Sequence, residues 1–141
     1  MIDQTTILEK LRAEGHKITE VRRFIISFLS KNKKPTDALE LQKALTKKVR
    51  MVNKTTVYRE LEFLVEQHII IEINFGDGKM RYEIANLPHH HHLICNNCQK
   101  VEDVYIDDSF EKLEAKLKKQ KSFTILNHSL EFFGLCHSCN K

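Results

Sequence analysis

The sequence predicts an α+β chain, with an N-terminal winged helix-turn-helix followed by a small α/β domain built on a four-cysteine zinc site. Three observations carry this. Apolar residues recur at helical spacing in four stretches before residue 68, and two β-rich segments follow around Gly76-Asp77-Gly78. All four cysteines fall into two Cys-x-x-Cys pairs, Cys95/Cys98 and Cys136/Cys139, the first preceded directly by His89-His90-His91-His92.

The helices come in order. Ile7, Leu8 and Leu11 place a first helix over 4–14, with Gly15 as its stop. Thr19 caps a second, whose stripe of Val21, Phe24, Ile25, Phe28 and Leu29 leaves Arg22 and Arg23 partly free. Pro35 interrupts a basic connector, and Asp37 with Glu40 forms a capping box for a third helix with Ala38, Leu41, Ala44 and Leu45 inward. Asn53 opens a fourth helix to about His68, burying Val57, Leu61, Leu64 and Val65 and presenting Thr55, Tyr58, Arg59 and Glu62. Residues 69–75 and 79–84 pair as a hairpin.

Helices followed by a two-stranded wing make a DNA-binding module in which the first turns of the last helix enter the major groove. Tyr58 would then touch a thymine methyl and Arg59 a phosphate or guanine, while Lys17, Arg22 and Lys54 reach phosphates or the minor groove. Charge agrees: residues 1–84 hold 16 basic against 12 acidic side chains, including all six arginines, whereas 85–141 hold seven of each. The plain alternative is that Tyr58 and Arg59 are ordinary helix-surface residues.

Residues 85–88 read as a hinge, which divides the chain into 1–84, 85–88 and 89–141. Beyond it come the histidine strand, a strand over 101–106, a helix capped by Asp108 and Glu111, and a last strand over 123–135 that carries His128. Phe110, Leu113 and Leu117 form one face of that helix. Lys116, Lys118, Lys119 and Lys121 form a solvated face opposite.

A two-residue spacer lets two thiolates converge on one tetrahedral ion, so the paired knuckles point to structural zinc. The 37 residues between Cys98 and Cys136 exceed the span of a compact ribbon and leave room for a helix and strands. Redox thiols and secreted disulfides are the competing readings, and the adjacent histidines favour ligands. On a strand, His89 and His91 face one way and His90 and His92 the other, so one strand can serve two metal sites. An expression tag would sit at a terminus, which leaves a solvated histidine patch as the bland alternative.

At 141 residues with 41% apolar content, the chain holds one ordinary domain or two small ones. It has no run of 18 apolar residues, and its Met1-Ile2-Asp3-Gln4-Thr5 start lacks the features of a signal peptide. A cytoplasmic protein with no membrane partner and no small-molecule substrate is expected.

Thr55-Thr56-Val57-Tyr58-Arg59-x-Leu61, the His89–Lys100-Val101 stretch with its first knuckle, Asn127-His128-Ser129-Leu130 and the closing Cys-x-x-Cys together resemble the ferric uptake regulator family. The resemblance runs over nearly the whole chain. It implies a homodimeric, metal-responsive repressor whose second domain is the dimerisation domain and whose operator is an AT-rich inverted repeat in double-stranded DNA. Thr55 and Thr56 join the DNA-binding set with it. The four cysteines would hold structural Zn(II). A sensor site would draw on Glu83, His90, His92 and Asp103, and a further site on His89, His91, Glu111 and His128.

Lys34 stands where the family usually supplies a sensor histidine, so Glu72 is a candidate substitute. His16 and His68 have no partner ligands in the pattern. The donor set suits Fe(II), with Mn(II) or Zn(II) as alternatives, and zinc-sensing members add a sensor cysteine that is absent here. A peroxide-responsive regulator ranks second, and a constitutive DNA binder with purely structural zinc follows. A zinc hydrolase or deaminase ranks last, since neither a His-Glu-x-x-His nor a His-x-Glu signature is present.

Overall fold

The computed structural model describes residues 3–32, 34–49, 51–106 and 110–141, and the chain forms two compact units, Met1–Pro88 and His89–Lys141. In the first, α1 (Gln4–Ala13), α2 (Glu20–Lys31), α3 (Ala38–Thr46) and α4 (Lys54–Glu66) precede the hairpin of β2 (Ile70–Asn74) and β3 (Met80–Ile84). Side chains set the starts of these helices. Asp3, Thr19, Asp37 and Asn53 each accept a hydrogen bond from a backbone N–H in the first turn, satisfying donors that have no intrahelical partner. Gly15 ends α1 at φ +83°, a left-handed conformation that side chains disfavour.

The apolar stripes meet in one core. Leu11, Ile25, Ile26, Leu41, Leu45, Leu61 and Leu64 are fully enclosed, and Ile70, Tyr82 and Ile84 close it from the sheet. Burial, then the charge of Glu72, pushes the Tyr82 phenol up to about 12. A short strand missed by sequence reasoning, β1 (Thr36–Asp37), pairs with β3, so the wing sheet runs β1-β3-β2. The expected 85–88 hinge is packed onto this unit: Ala85 donates to the Ile69 carbonyl and Leu87 lies against the core.

At the wing turn, Arg81 forms two hydrogen bonds with Asp77, at 3.0 and 2.7 Å. The Arg81 contact leads the causes that hold the Asp77 carboxyl down at about 2. A depressed carboxyl stabilises the fold above its unfolded pKa, and that contribution fades as pH falls through the folded value. The wing is therefore expected to loosen between about pH 4 and pH 2, read as NMR shift changes at Gly76 and Gly78. Asp77→Asn should show the loosened spectrum at neutral pH; identical wing spectra for the two proteins would disprove the assignment.

The second unit is a three-stranded sheet in the order β5-β4-β6, built from β4 (His91–Cys95), β5 (Val101–Val104) and β6 (Glu131–Gly134), with α5 (Phe110–Lys121) between β5 and β6. β5 is antiparallel to β4, and β6 is parallel to it. The last strand is shorter than the predicted 123–135 because its partner β4 begins only at His91, and pairing starts at His92↔Glu131. His128 therefore precedes the ladder. The predicted cap Asp108 lies outside the described residues.

Candidate metal centres and nucleic-acid interface

Parallel pairing explains how the two knuckles meet across a long gap. Register places Cys95 beside Gly134, and the Asn96 N–H donates to the Gly134 carbonyl at 2.8 Å, so β4 and β6 deliver their cysteines at the same end of the sheet. The Sγ atoms of Cys95, Cys98, Cys136 and Cys139 lie within 4.8 Å of one another, with Cys98 to Cys136 at 3.6 Å. Four sulfurs about 2.3 Å from one tetrahedral ion would be about 3.8 Å apart, so the cysteines fit zinc as they stand.

Their electrostatics suit the same role. Backbone N–H groups of Cys98 and Cys136 hold the Cys95 thiol down at about 6. At Cys98 the Lys100 N–H lowers the thiol, but the neighbouring Cys95, Cys136 and Cys139 sulfurs outweigh it and push it up to about 11. Crowded thiols that resist joint deprotonation are what a divalent cation relieves.

Histidine parity holds although β4 starts at His91. His89, His91 and His128 converge with donor atoms within 4.8 Å, and His91 is buried. On the other side, His90 and His92 lie with ring centroids 4.9 Å apart. Their Nε2 atoms stand 4.0 and 3.8 Å from Asp103 Oδ1, since β5 places Asp103 opposite His92. Donors about 2.0–2.2 Å from a common ion lie no more than about 4.4 Å apart, so each imidazole stands within reach of a cation shared with Asp103.

Other expected ligands are placed within their own units. Glu83 is buried on β3. Glu72 pairs with Tyr82 across the hairpin, whereas Glu83 pairs with Ile71, so the two carboxylates face opposite sides of the wing and Glu72 does not substitute alongside Glu83. Lys34 forms an ion pair with Glu40 at 3.5 Å. His16 sits edge-on to Phe63 at 5.0 Å, the packing of a structural histidine. Glu111 is exposed on the first turn of α5, and the carboxylate that reaches His128 is instead Glu114, with Oε1 2.8 Å from Nδ1. Only the pattern of α5 could have signalled it, since Glu114 lies one turn after Phe110.

On α4, Lys54, Thr55, Tyr58 and Arg59 are exposed as expected, and the Lys54 ammonium lies 5.6 Å from the Tyr58 ring centre. Thr56 is partly committed, donating from both N–H and hydroxyl to the Asn53 cap. Lys17 is exposed. Arg22 is a correction: it is buried, forms a two-point ion pair with Glu60 at 2.9 and 3.2 Å, donates to the Lys17 carbonyl at 2.6 Å and lies 3.8 Å over the Phe63 ring. Its fork is spent inside the unit.

Residues 13–133 match the Ferric uptake regulator family. The chain is 33% identical to the ferric uptake regulation protein of Bacillus subtilis (strain 168) over 95% of its own length and 92% of that protein's. It is 32% identical to the peroxide operon regulator of the same organism, over 95% and 91%. Among solved structures it resembles the Helicobacter pylori ferric uptake regulator, described as having three functional metal-binding sites, at 25% identity and a TM-score of 0.85, covering 99% of this chain and 95% of that one. The chain belongs to the ferric uptake regulator family, a family of metal-responsive transcriptional regulators.

Proposed function

We propose that the chain is a homodimeric, Fe(II)-responsive repressor of an AT-rich inverted-repeat operator, with Zn(II) held structurally by Cys95, Cys98, Cys136 and Cys139. The observation that carries the choice of ion is the set of two imidazoles and one carboxylate formed by His90, His92 and Asp103. Such mixed nitrogen and oxygen donors suit Fe(II), then Mn(II), and accept Zn(II). Glu83 completes the set by family resemblance.

Tyr58 and Arg59, on the exposed first turns of α4, read bases, and Lys17 and Lys54 neutralise phosphates. Exposed Leu93, Phe132, Phe133 and Leu135 give the second unit an apolar surface that supports pairing with a second copy. Ligands drawn from both parts of the chain bias the spacing of two winged helices toward that of the operator. A coupling of about 1–3 kcal/mol gives a several-fold to hundred-fold change in affinity. Among the described residues no helix is long and apolar enough to cross a membrane. A peroxide-responsive reading ranks second, supported by the aspartate at position 103 and the likeness to the peroxide operon regulator.

The test is anaerobic fluorescence anisotropy of an inverted-repeat duplex with zinc-loaded protein, comparing chelator with Fe(II), Mn(II) and Zn(II), then adding peroxide to the Fe(II) complex. Fe(II)-dependent binding that survives peroxide is expected. Binding of equal strength under all conditions would make the protein a constitutive DNA binder, and Fe(II)-dependent loss on peroxide would favour the second reading.

A further inference from the structure

We propose that Leu39 and Met80, together with Tyr58, form an apolar slot that reads thymine methyl groups, which makes Leu39 and Met80 specificity-determining residues of the DNA-binding unit. The inference rests on reading α4 as the helix that meets DNA, and adds to that surface two side chains from other elements.

The first unit exposes five large apolar side chains among the described residues, and three of them, Leu39, Tyr58 and Met80, line one groove of about 250 Å³. Scattered singly they would need no explanation, but gathered beside the exposed first turns of α4 they mark a contact surface. Strand pairing brings them together. Thr36 and Asp37 of β1 lie opposite Tyr82 and Arg81 of β3, so the start of α3 runs alongside the start of the second wing strand. Leu39 lies off the buried stripe of Ala38, Leu41 and Leu45 and is 58% exposed, so packing inside the unit does not call for leucine there. Met80 is presented from a fixed turn: Lys79 N–H donates to Asp77 Oδ1 at 3.2 Å, and Arg81 donates to both Asp77 oxygens. A surface held in place before binding loses little freedom on contact.

The chemistry of the groove selects its occupant. Among the groups that base edges present in the major groove, the thymine C5-methyl is the one suited to apolar side chains. A phosphate fits poorly, because Asp37 also lines the groove and its carboxylate would repel one. A free ligand fits poorly as well, since small-molecule sites run to about 300–1,000 Å³ and enclose what they bind. Continuity decides the rest. Tyr58 belongs both to the exposed face of α4 and to the groove, so a methyl against its ring already stands at the slot that Leu39 and Met80 complete.

The test uses full-length protein with zinc in its cysteines and whichever of Fe(II), Mn(II) or Zn(II) supports binding to an inverted-repeat duplex that the protein selects from random sequence. Each thymine is replaced in turn by deoxyuridine, symmetrically in both half-sites, which removes the methyl and nothing else. At one or more thymines the wild-type affinity should fall about fourfold per half-site, the worth of one buried methyl-sized group. Leu39→Ala and Met80→Ala should each weaken the unmodified duplex and shrink that penalty below about twofold per half-site, the mark of coupled partners, with thermal unfolding confirming that both variants are folded. A full penalty retained in either variant, or no thymine whose methyl matters, overturns the proposal while the bound duplex keeps the regulator reading intact. If the wild-type protein selects and binds no duplex with any of the three ions, the reading of α4 fails and takes the slot with it.

Discussion

Stripping zinc from the four cysteines, by chelation under reducing conditions or by Cys136→Ser, is expected to unfold the second unit while leaving the first intact. In the second unit, the buried described residues are limited to Ile94, Cys95, His91 and His92, and α5 buries none. A segment this small, with so little enclosed apolar surface, needs a staple. Structural zinc in finger peptides contributes about 10–16 kcal/mol at neutral pH, well above what this sheet gains from packing. The knuckles tie one end of the sheet, through Cys95 N–H to the Lys100 carbonyl beside β5 and Cys136 N–H to Cys95 Sγ after β6, so losing the metal frees that end of all three strands.

The first unit has its own enclosed core of Leu11, Ile25, Leu41, Leu61 and Leu64. Amide spectra of the full chain should therefore lose dispersed signals from 89–141 and keep those of 4–84. Gel filtration should show the dimer dissociating. Full retention of the second unit's signals after zinc loss would show that the sheet stands without the metal.

Local chemistry was legible where a few neighbouring residues decide the outcome. The caps at Thr19, Asp37 and Asn53, the helical stripes and the division of four histidines into two faces all follow from spacing alone. What depended on distant pairing was not. Nothing in Glu131–Gly134 announces a parallel partner, yet that register joins the knuckles. β1 is two residues long and exists through its pairing to Arg81 and Tyr82. Glu114 and Glu111 are both acidic positions near the start of one helix, and only the orientation of α5 separates them. Arg22 was misread for the same reason. Its helix position looked half-open, and its partner Glu60 lies 38 residues away.

That misreading carries the second large effect. Glu60→Gln is expected to destabilise the first unit by about 3 kcal/mol, near the lower end of the range for breaking a buried pair, because the side chains are still 10% and 15% exposed. The penalty arises from the guanidinium left behind. With Glu60 gone, Arg22 keeps the Phe63 ring and the Lys17 carbonyl, neither of which neutralises it. Replacing both partners by leucine should recover much of the loss, since apolar side chains of similar volume remove the stranded charge. Thermal unfolding of the single and double variants measures this directly.

DNA binding separates this structural role from a phosphate contact. Arg22→Gln should lower the unfolding temperature but leave the slope of log affinity against log salt unchanged, whereas Lys54→Gln should reduce that slope by about one unit without affecting stability. The reverse pattern, with Arg22→Gln stable and its salt slope reduced, would return Arg22 to the nucleic-acid surface and break the ion pair as an explanation. The expected result follows from geometry: the guanidinium is buried, with a carboxylate already on its fork, a carbonyl on one nitrogen and an aromatic ring beneath, so its charge is neutralised inside the unit and adds no phosphate contact.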